Sequence, residues 1–537
     1  EGLCGRSQGT EGSDREVGMN MQLKAKYIDM ESAEYTCVLH VDDAREMGVR
    51  EQDRVRVKHE RSSVVTLVHT TDTVVQPGEV GILGRAYVEL GPEADEVIEV
   101  VATSRPASVE FIKKKMAGKE LSTSEIRTIV NDIAEHNLSN IELTAYVTSL
   151  EINGMNIRET ADLTMAMVET GEVVEFDRSP VFDFHSIGGC PGNKITLLVV
   201  PIVAAAGLLI PKTSSRAISS AAGTADIVEV FADVNFNSNK LRSIAESTGG
   251  VLAWGGSMNL APADDVIIRV EYPLGIDPHA QLLASVMSKK KAVGADFLAI
   301  DIPVGEGTKV PTMEKAQAFA KDFVELGERL GMHVEVAITY GDQPVGRAIG
   351  PALEAREAIR ILEGDAHPSS VIEKAAGMAG IVLEMGGIQR GEAVARDILS
   401  SGRALDKFRE IVAAQGGNPD ISSDDIQVGK YTYDVTAKMC GYVNSIKNKQ
   451  LVRLARAAGA PKDKGAGILL HKKKGNRVGD GEPLFTIYAD NKAKLDMAIE
   501  LSRKLEPMTV EGMILAKLPY ISKSTVIERT FCPVPSE

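Results

Sequence analysis

Residues 181–224 read VFDFHSIGGCPGNKITLLVVPIVAAAGLLIPKTSSRAISSAAGT. Twice in this stretch an apolar, strand-like run (VFDF, then GLLI) gives way to a loop rich in Gly, Ser, Thr and Asn, and each loop leads into an apolar, helix-like run. Strand, small-residue loop and helix in repetition is the signature of a parallel α/β sheet. At such loops the unpaired backbone N–H groups and the positive end of the following helix point outward, and small side chains let an anion approach. Two of them in succession, the second carrying Arg216, point to a phosphorylated or phosphate-using substrate.

The alternation extends outward from this stretch. The runs GVLAW, FLAIDI and HVEVAIT add three more strands between about residues 178 and 420. The segment 259–292, NLAPADDVIIRVEYPLGIDPHAQLLASVMSKKKA, interrupts the pattern and reads as a return to helices seen earlier in the chain. Those earlier helices lie before residue 172. Ser122 and Glu125 have capping-box spacing, followed by Ile126, Ile129, Val130 and Ile133 at helical intervals; Ser139 and Glu142 repeat the start signal. Still further upstream, LKAKYIDM, YTCVLHV, RVRVKH, SVVTLVHT and EVIEVVAT are short β-branched runs, and GVREQDRVRV resembles part of a small double-psi-type barrel. Past Gly429 the pattern changes to a separate α+β unit with YDVTAKMCGYVNSI, GILLHKK, GNRVGDGEPLFTIYA and a closing helix.

The expected architecture is therefore multidomain α/β. A disordered extension occupies residues 1–20 and an N-terminal β-barrel-like domain 21–104. A helical bundle takes 105–177 with 260–295, a central mixed or parallel α/β domain 178–259 with 296–425, and a C-terminal α+β domain 426–537. A chain of 537 residues is long enough for about three or four domains.

Bulk properties narrow the function. With 60 basic and 75 acidic residues the net charge is −15, which disfavours general binding to nucleic acid or to an anionic membrane. An anionic substrate then needs a local gathering of cations, for which Lys212, Arg216, Lys289 to Lys291 and Lys309 are candidates. The apolar run after Thr196 is too short to cross a bilayer and contains Pro201. Five scattered cysteines without a C-x-x-C pair argue against a disulfide framework or a structural zinc site, and Cys190 reads as a small space-filler. A cytoplasmic location is the expectation.

In the first loop, Ser186, Lys194 and Thr196 can donate hydrogen bonds to a phosphate. His185 is either a phosphate or base contact or a satisfied histidine beneath the loop. The second loop, Ser214 to Ser220 and on to Thr224, carries more hydroxyls than a turn requires, together with Arg216, which suits bidentate phosphate binding. Asp277-Pro278 is a common helix start, with Asp capping and Pro at the first helical position. The lysine triplet that follows reads on its own as a solvated face. Asp301-Ile302-Pro303-Val304-Gly305-Glu306-Gly307-Thr308-Lys309 is a glycine-rich loop after a buried strand, where open α/β sheets bind ligands. There is no G-x-x-x-x-G-K-[ST], no convincing G-x-G-x-x-G and no metal-spaced His/Cys set, so no metal and no cofactor is expected.

Several stretches together resemble the thymidine/pyrimidine-nucleoside phosphorylase family. FIKKKMAGKELSTSEIRTIVNDIAEHNLSNIELTAYV, NIRETADLTMAMVETG, the two loops, LASVMSKKKA and AIDIPVGEGTK occur in that family's order from about residue 105 onward. The N-terminal barrel, DFHSIGGCPGNK and VGEGTK together look like an archaeal branch that uses nucleoside 5′-monophosphates. The resemblance implies phosphorolysis of AMP, with CMP and UMP as further substrates, to free base and ribose 1,5-bisphosphate, inorganic phosphate being the co-substrate. It implies a homodimer or larger homo-oligomer. Asp277 matches the family's proton donor. Gly189, Ser215, Arg216, Ala217, Ile218, Ser219, Ser220, Thr224, Ser285 and Lys309 match nucleotide-binding positions. His185, Ser186, Lys194, Thr196 and Ser214 fall on the phosphate side, and Arg269 and Lys289 face the base.

Two departures from the nucleoside enzymes stand out. Their Lys-His-Ser becomes Phe184-His185-Ser186, which removes a cation, and their aromatic after the G-x-G becomes Lys309, which adds one where a 5′-phosphate would lie. Arg216 or Lys194 is the candidate replacement for the lost lysine. Rival readings are a pyrimidine-nucleoside phosphorylase, an anthranilate-phosphoribosyltransferase-like enzyme that needs Mg²⁺, and a non-catalytic nucleotide sensor or scaffold.

Overall fold

The computed structural model describes residues 19–32, 34–218 and 220–514. The expected disordered extension before residue 19 and the candidate Ser219 lie outside the described residues. The chain forms two compact units, one from Glu1–Met155 with Val266–His279, the other from Asn156–Asp265 with Ala280–Glu537.

In the first unit six strands close into a barrel. Its clearest hairpin pairs Arg54–His59 with Ser62–Thr71 across Glu60-Arg61, where Glu60 takes φ +48°. Val55 and Val57 alternate into the barrel core, fully buried, while Arg56 and Lys58 stay partly exposed. The sequence reading omitted one strand, Glu79–Leu83. It pairs in parallel with Asn20–Ile28 and antiparallel with Thr36–His40, so it lies between them in the wall. Its Gly81 breaks the β-branched pattern because a Cβ there would lie 2.4 Å from Ile28 Cδ1.

Three helices follow, Ser108–Met116, Thr123–Ala134 and Asn140–Asn153. Both expected capping boxes form. Ser122 Oγ accepts from the Glu125 N–H at 3.3 Å and Glu125 Oε2 accepts from the Ser122 N–H at 2.7 Å; Ser139 and Glu142 do the same. Ile126, Ile129, Val130 and Ile133 are all buried on one face.

The second unit is built on parallel strands. Phe297–Val304 lies between Phe182–Ser186 and His333–Tyr340, and Ile210–Ser214 pairs with Gly250–Trp254. A parallel bridge between Val181 and Leu209 links the two sets. The carboxyl ends of these strands therefore share one edge, and the loops after residues 186, 214 and 304 all emerge there. The helix Thr196–Ala205 is buried almost entirely and centres an apolar core shared with helices Pro351–Leu362, Ser369–Met385, Gly391–Ser400 and Arg403–Ala414.

The C-terminal region is α+β, as its pattern indicated. Strands Tyr431–Thr436, Gly467–Leu470 and Pro483–Ala489 form one antiparallel sheet with Ala348–Ile349, and Gly441–Ile446 centres another. Helices Asn448–Ala457 and Lys492–Leu505 pack into the same apolar cluster. Among the described residues, no helix is long and apolar enough to cross a membrane.

Candidate active site

The first loop follows Phe182–Ser186 and turns on Gly188, Gly189 and Gly192, all at positive φ. Gly189 is required for a second reason. A Cβ there would lie 2.5 Å from the backbone nitrogen of Lys309 and 3.1 Å from the carbonyl carbon of Thr308. The HSIGG loop and the GEGTK loop thus touch backbone to backbone, bringing Gly189 and Lys309 together as the sequence reading grouped them. Asn193 ties the loop to the sheet by donating to Ser186 Oγ at 2.9 Å and to Asp301 Oδ2 at 3.2 Å. Asp301 is wholly buried, accepts from Thr339 Oγ1 at 2.5 Å and faces Lys374 Nζ at 2.8 Å. Cys190 is buried beneath the loop, as a space-filler would be.

Lys194, expected beside the phosphate, instead holds the loop from below. Its ammonium is fully buried, pairs with Glu357 and donates to the carbonyls of Val345 and Ala348 at 3.2 Å each. A charge so enclosed stays with its carboxylate, because breaking a buried pair leaves the other ion uncompensated.

The positive charge near His185 has another source. Asp183, two residues before it on the same strand, faces Lys290 Nζ at 2.8 Å and Lys212 Nζ at 3.6 Å. All three side chains are at most 4% exposed. Both ammonium groups also donate to the carbonyl of Thr213, at 2.7 Å from Lys212 and 3.1 Å from Lys290. Two lysines share one carboxylate, so while both are protonated the cluster carries an excess positive charge in a dry place. Burial, opposed by Asp183 and aided by Lys290, lowers the Lys212 ammonium to about 7. His185 is pushed well below its usual value by burial, then by Lys290, Lys212, Lys289 and Lys309. Its imidazole is neutral at pH 7, not a cation. The Lys289–Lys291 triplet is therefore not a solvated face: Lys290 is 2% exposed.

The second loop is organised by Asp226 at the start of helix Thr224–Val228. Its Oδ2 accepts from the backbone N–H of Ala217 at 2.7 Å and of Gly223 at 3.0 Å. Ser214 Oγ donates to the Ala253 carbonyl at 3.1 Å and Ser220 Oγ to that of Ala222. Ser215, Ala217, Ile218 and Thr224 are at least partly exposed along it. Arg216 makes a bidentate pair with Glu229, at 2.7 and 2.6 Å, and lies over the Trp254 ring at 4.7 Å. An anion reaching this guanidinium competes with Glu229 or takes the N–H groups that Glu229 leaves over. Thr196, expected on the phosphate side, is buried at the first position of its helix.

Ser285 and Lys289 stand one helical turn apart and meet on buried Asp264. Ser285 Oγ donates to its Oδ2 at 2.8 Å, Lys289 pairs with the same oxygen, and Gln281 donates to Oδ1 at 3.0 Å. Asp277 and Arg269 belong to the first unit and are exposed. Asp277 lies between helices Pro262–Leu274 and His279–Ala292, the latter starting two residues after it. Arg269 borders a small polar pocket with Tyr35, Arg54 and His136.

Sequence reasoning missed Asp183, Asp264, Asp301 and Lys374 as site-building residues; Lys290 was among the candidate cations, but not its burial against Asp183. For Asp183 the available signal was its position between Phe182 and Phe184 in an apolar, strand-like run; the other pairings join residues too far apart for local spacing to reveal.

Comparison with known proteins identifies the family of the chain. Residues 109–171 match the helical bundle domain of the glycosyl transferase family, residues 178–405 its a/b domain, and residues 442–507 the pyrimidine nucleoside phosphorylase C-terminal domain. AMP phosphorylase 1 of Archaeoglobus fulgidus is 54% identical over 92% of this chain and 98% of its own length. The AMP phosphorylases of Methanosarcina barkeri and Thermococcus kodakarensis are each 51% identical over 93% of this chain and 99% of theirs. A solved anthranilate phosphoribosyltransferase from Thermus thermophilus aligns with 57% of this chain and 99% of its own at 21% identity and a TM-score of 0.49, a likeness too slight to weigh. From residues matched along nearly its whole length, the chain belongs to the AMP phosphorylase branch of the thymidine/pyrimidine-nucleoside phosphorylase family.

Proposed function

We propose that this protein cleaves AMP, and also CMP and UMP, with inorganic phosphate. A phosphate oxygen bonds to C1′ as the bond from C1′ to the base nitrogen breaks. The products are the free base and ribose 1,5-bisphosphate. Family membership carries the reaction type, and the contact between Gly189 and the Lys309 backbone carries the choice of a nucleotide over a nucleoside. That contact keeps an exposed lysine beside the HSIGG loop, where a 5′-phosphate can meet it.

The sugar passes through an oxocarbenium-like state, so the enzyme has to hold phosphate in line and neutralise the departing base. His185, Ser186, Thr196 and Ser214 are assigned to the phosphate side. The loop from Ser215 to Thr224 is assigned to the nucleotide, with Ser285, Lys289 and Arg269 toward the base. Asp277 is assigned as the acid that protonates a ring nitrogen of the leaving base. The lysine missing at Phe184 is replaced, in this reading, by Lys212 and Lys290, whose excess charge beside Asp183 supports the assignment. Lys194 and Arg216, already paired with Glu357 and Glu229, support the fold of the loops instead. No metal or cofactor is assigned. The N-terminal barrel is read as double-psi-like and concerned with assembly, into a homodimer or larger homo-oligomer in the cytoplasm.

The deciding experiment measures base release from AMP, CMP, UMP and their nucleosides in phosphate, with and without EDTA. Adenine and ribose 1,5-bisphosphate should form from AMP, and adenosine should be a poor substrate. Adenosine cleaved as well as AMP would overturn the nucleotide reading; activity that requires phosphoribosyl pyrophosphate and Mg²⁺ would replace it with a phosphoribosyltransferase. Lys309→Ala should impair AMP far more than adenosine, and equal losses would remove Lys309 from 5′-phosphate recognition.

A further inference from the structure

One helix of the C-terminal region reaches both loops assigned to the nucleotide. At the start of Asn448–Ala457, Asn448 is 1% exposed and its Nδ2 donates to the Gly341 carbonyl at 2.8 Å and, more weakly, to that of Glu306 at 3.5 Å. A Cβ on Gly307 would lie 3.5 Å from Asn448 Cβ and 3.6 Å from Lys449 Cγ, so the GEGTK loop rests on this end of the helix. At the other end Arg456 Nη1 donates to the carbonyls of Ile218 and Ser220, each at 3.0 Å, inside the SSRAISS loop. The next residue of that loop, Ala221, is 2% exposed and belongs to the same apolar cluster as Leu451 and Leu454 of the helix. Just beyond the helix, Lys464 pairs with Glu229 at 2.8 Å, on the carboxylate that also holds Arg216.

The two loops leave different strands, so nothing in the sheet alone fixes the distance between their tips. A ten-residue helix is a rigid rod of about 15 Å that fixes it. Among the described residues no carboxylate pairs with Arg456; its charge goes to two loop carbonyls. Mere domain packing needs apolar contact, which Ala221 and the leucines already supply, and does not need an arginine nitrogen shared between these two carbonyls.

We infer that Arg456 is a positioning residue for the nucleotide, and that helix Asn448–Ala457 sets the spacing between the SSRAISS and GEGTK loops. The inference rests on the reading that these loops hold the nucleotide. Steady-state kinetics on Arg456→Ala tests it. KM for AMP should rise about tenfold, the scale of a lost charged hydrogen bond, while kcat and KM for phosphate stay within about twofold. Arg456→Lys should recover part of the loss. An AMP KM within twofold of the unaltered enzyme overturns the inference, as does a fall in kcat at constant KM, which is what a simple loss of folded enzyme produces. If the alanine variant does not fold, Arg456→Gln, which keeps the aliphatic stem, is judged by the same criterion. If the unaltered enzyme releases no base from AMP, the proposed reaction fails first. The AMP dissociation constant by calorimetry then decides on Arg456, where a shift below twofold, or no binding at all, overturns it.

Discussion

Asp183 and Glu229 each gather two cations, yet the two clusters differ in nearly every physical consequence. Around Asp183 the partners Lys212 and Lys290 are at most 4% exposed; around Glu229 the partners Arg216 and Lys464 are about one-third exposed. In the dry cluster the strain falls on a lysine, whose ammonium is lowered to about 7 by burial. In the wet one it falls on the carboxyl, held at about 2 chiefly by the Arg216 hydrogen bonds, while Arg216 is raised. One cluster can change its charge near neutral pH and the other cannot. The same inventory of ions makes a titratable site when buried and a fixed brace when solvated.

Removing each carboxylate sharpens the contrast. Asp183→Asn leaves Lys212 and Lys290 buried without their shared counter-ion and should cost about 3–5 kcal/mol in denaturant unfolding. A loss under about 1 kcal/mol would mean that the cluster is not held as an ion triad. Asp277→Asn gives the catalytic scale: turnover of AMP should fall about 10²-fold. Near-normal turnover would remove Asp277 from the chemistry.

Lys212→Met keeps the length of the side chain and removes its charge. At pH 6, where Lys212 is protonated, KM for phosphate should rise about tenfold; above pH 8 the variant and the unaltered enzyme should converge. The ratio of the two values cancels the titration of phosphate itself, and a ratio constant with pH would refute a titrating Lys212. Stability has the matching sign. The unfolded chain holds this proton up to its ordinary value of 10.5 and the folded one only to about 7, so folding is penalised below pH 7 and relieved as pH rises toward 10.5. Lys212→Met should abolish that rise. The smallest effect is expected at Glu229→Gln, about 0.2–1 kcal/mol of stability, since exposed pairs contribute little. A loss as large as that of Asp183→Asn would erase the distinction between the clusters.

The strands and helices that position the site were legible because their signals are local. VFDF, GVLAW, FLAIDI and HVEVAIT fall on observed strands, and Ser122 with Glu125 caps the helix it announced. Glu79–Leu83 escaped because Gly81, demanded by Ile28 of the neighbouring strand, dilutes a β-branched pattern. The burial of lysines escaped for a related reason. Lys194 and Lys290 look like ordinary surface residues until Glu357 and Asp183 arrive from more than 100 residues away. Ser285 and Lys289 could be placed on one helical face from their spacing, but not the Asp264 on which they meet.

The contact at Gly189 has a consequence for anyone seeking to alter this enzyme. With only 2.5 Å between the place of a missing Cβ and the nitrogen of Lys309, the two loops are a single joint made of two parts. Variation confined to residues 305–309 also re-aims the HSIGG loop, and any side chain added at 189 displaces the lysine that the nucleotide reading depends on. Libraries aimed at new substrates should therefore treat position 189 as fixed and vary the GEGTK loop only with its neighbour across that joint.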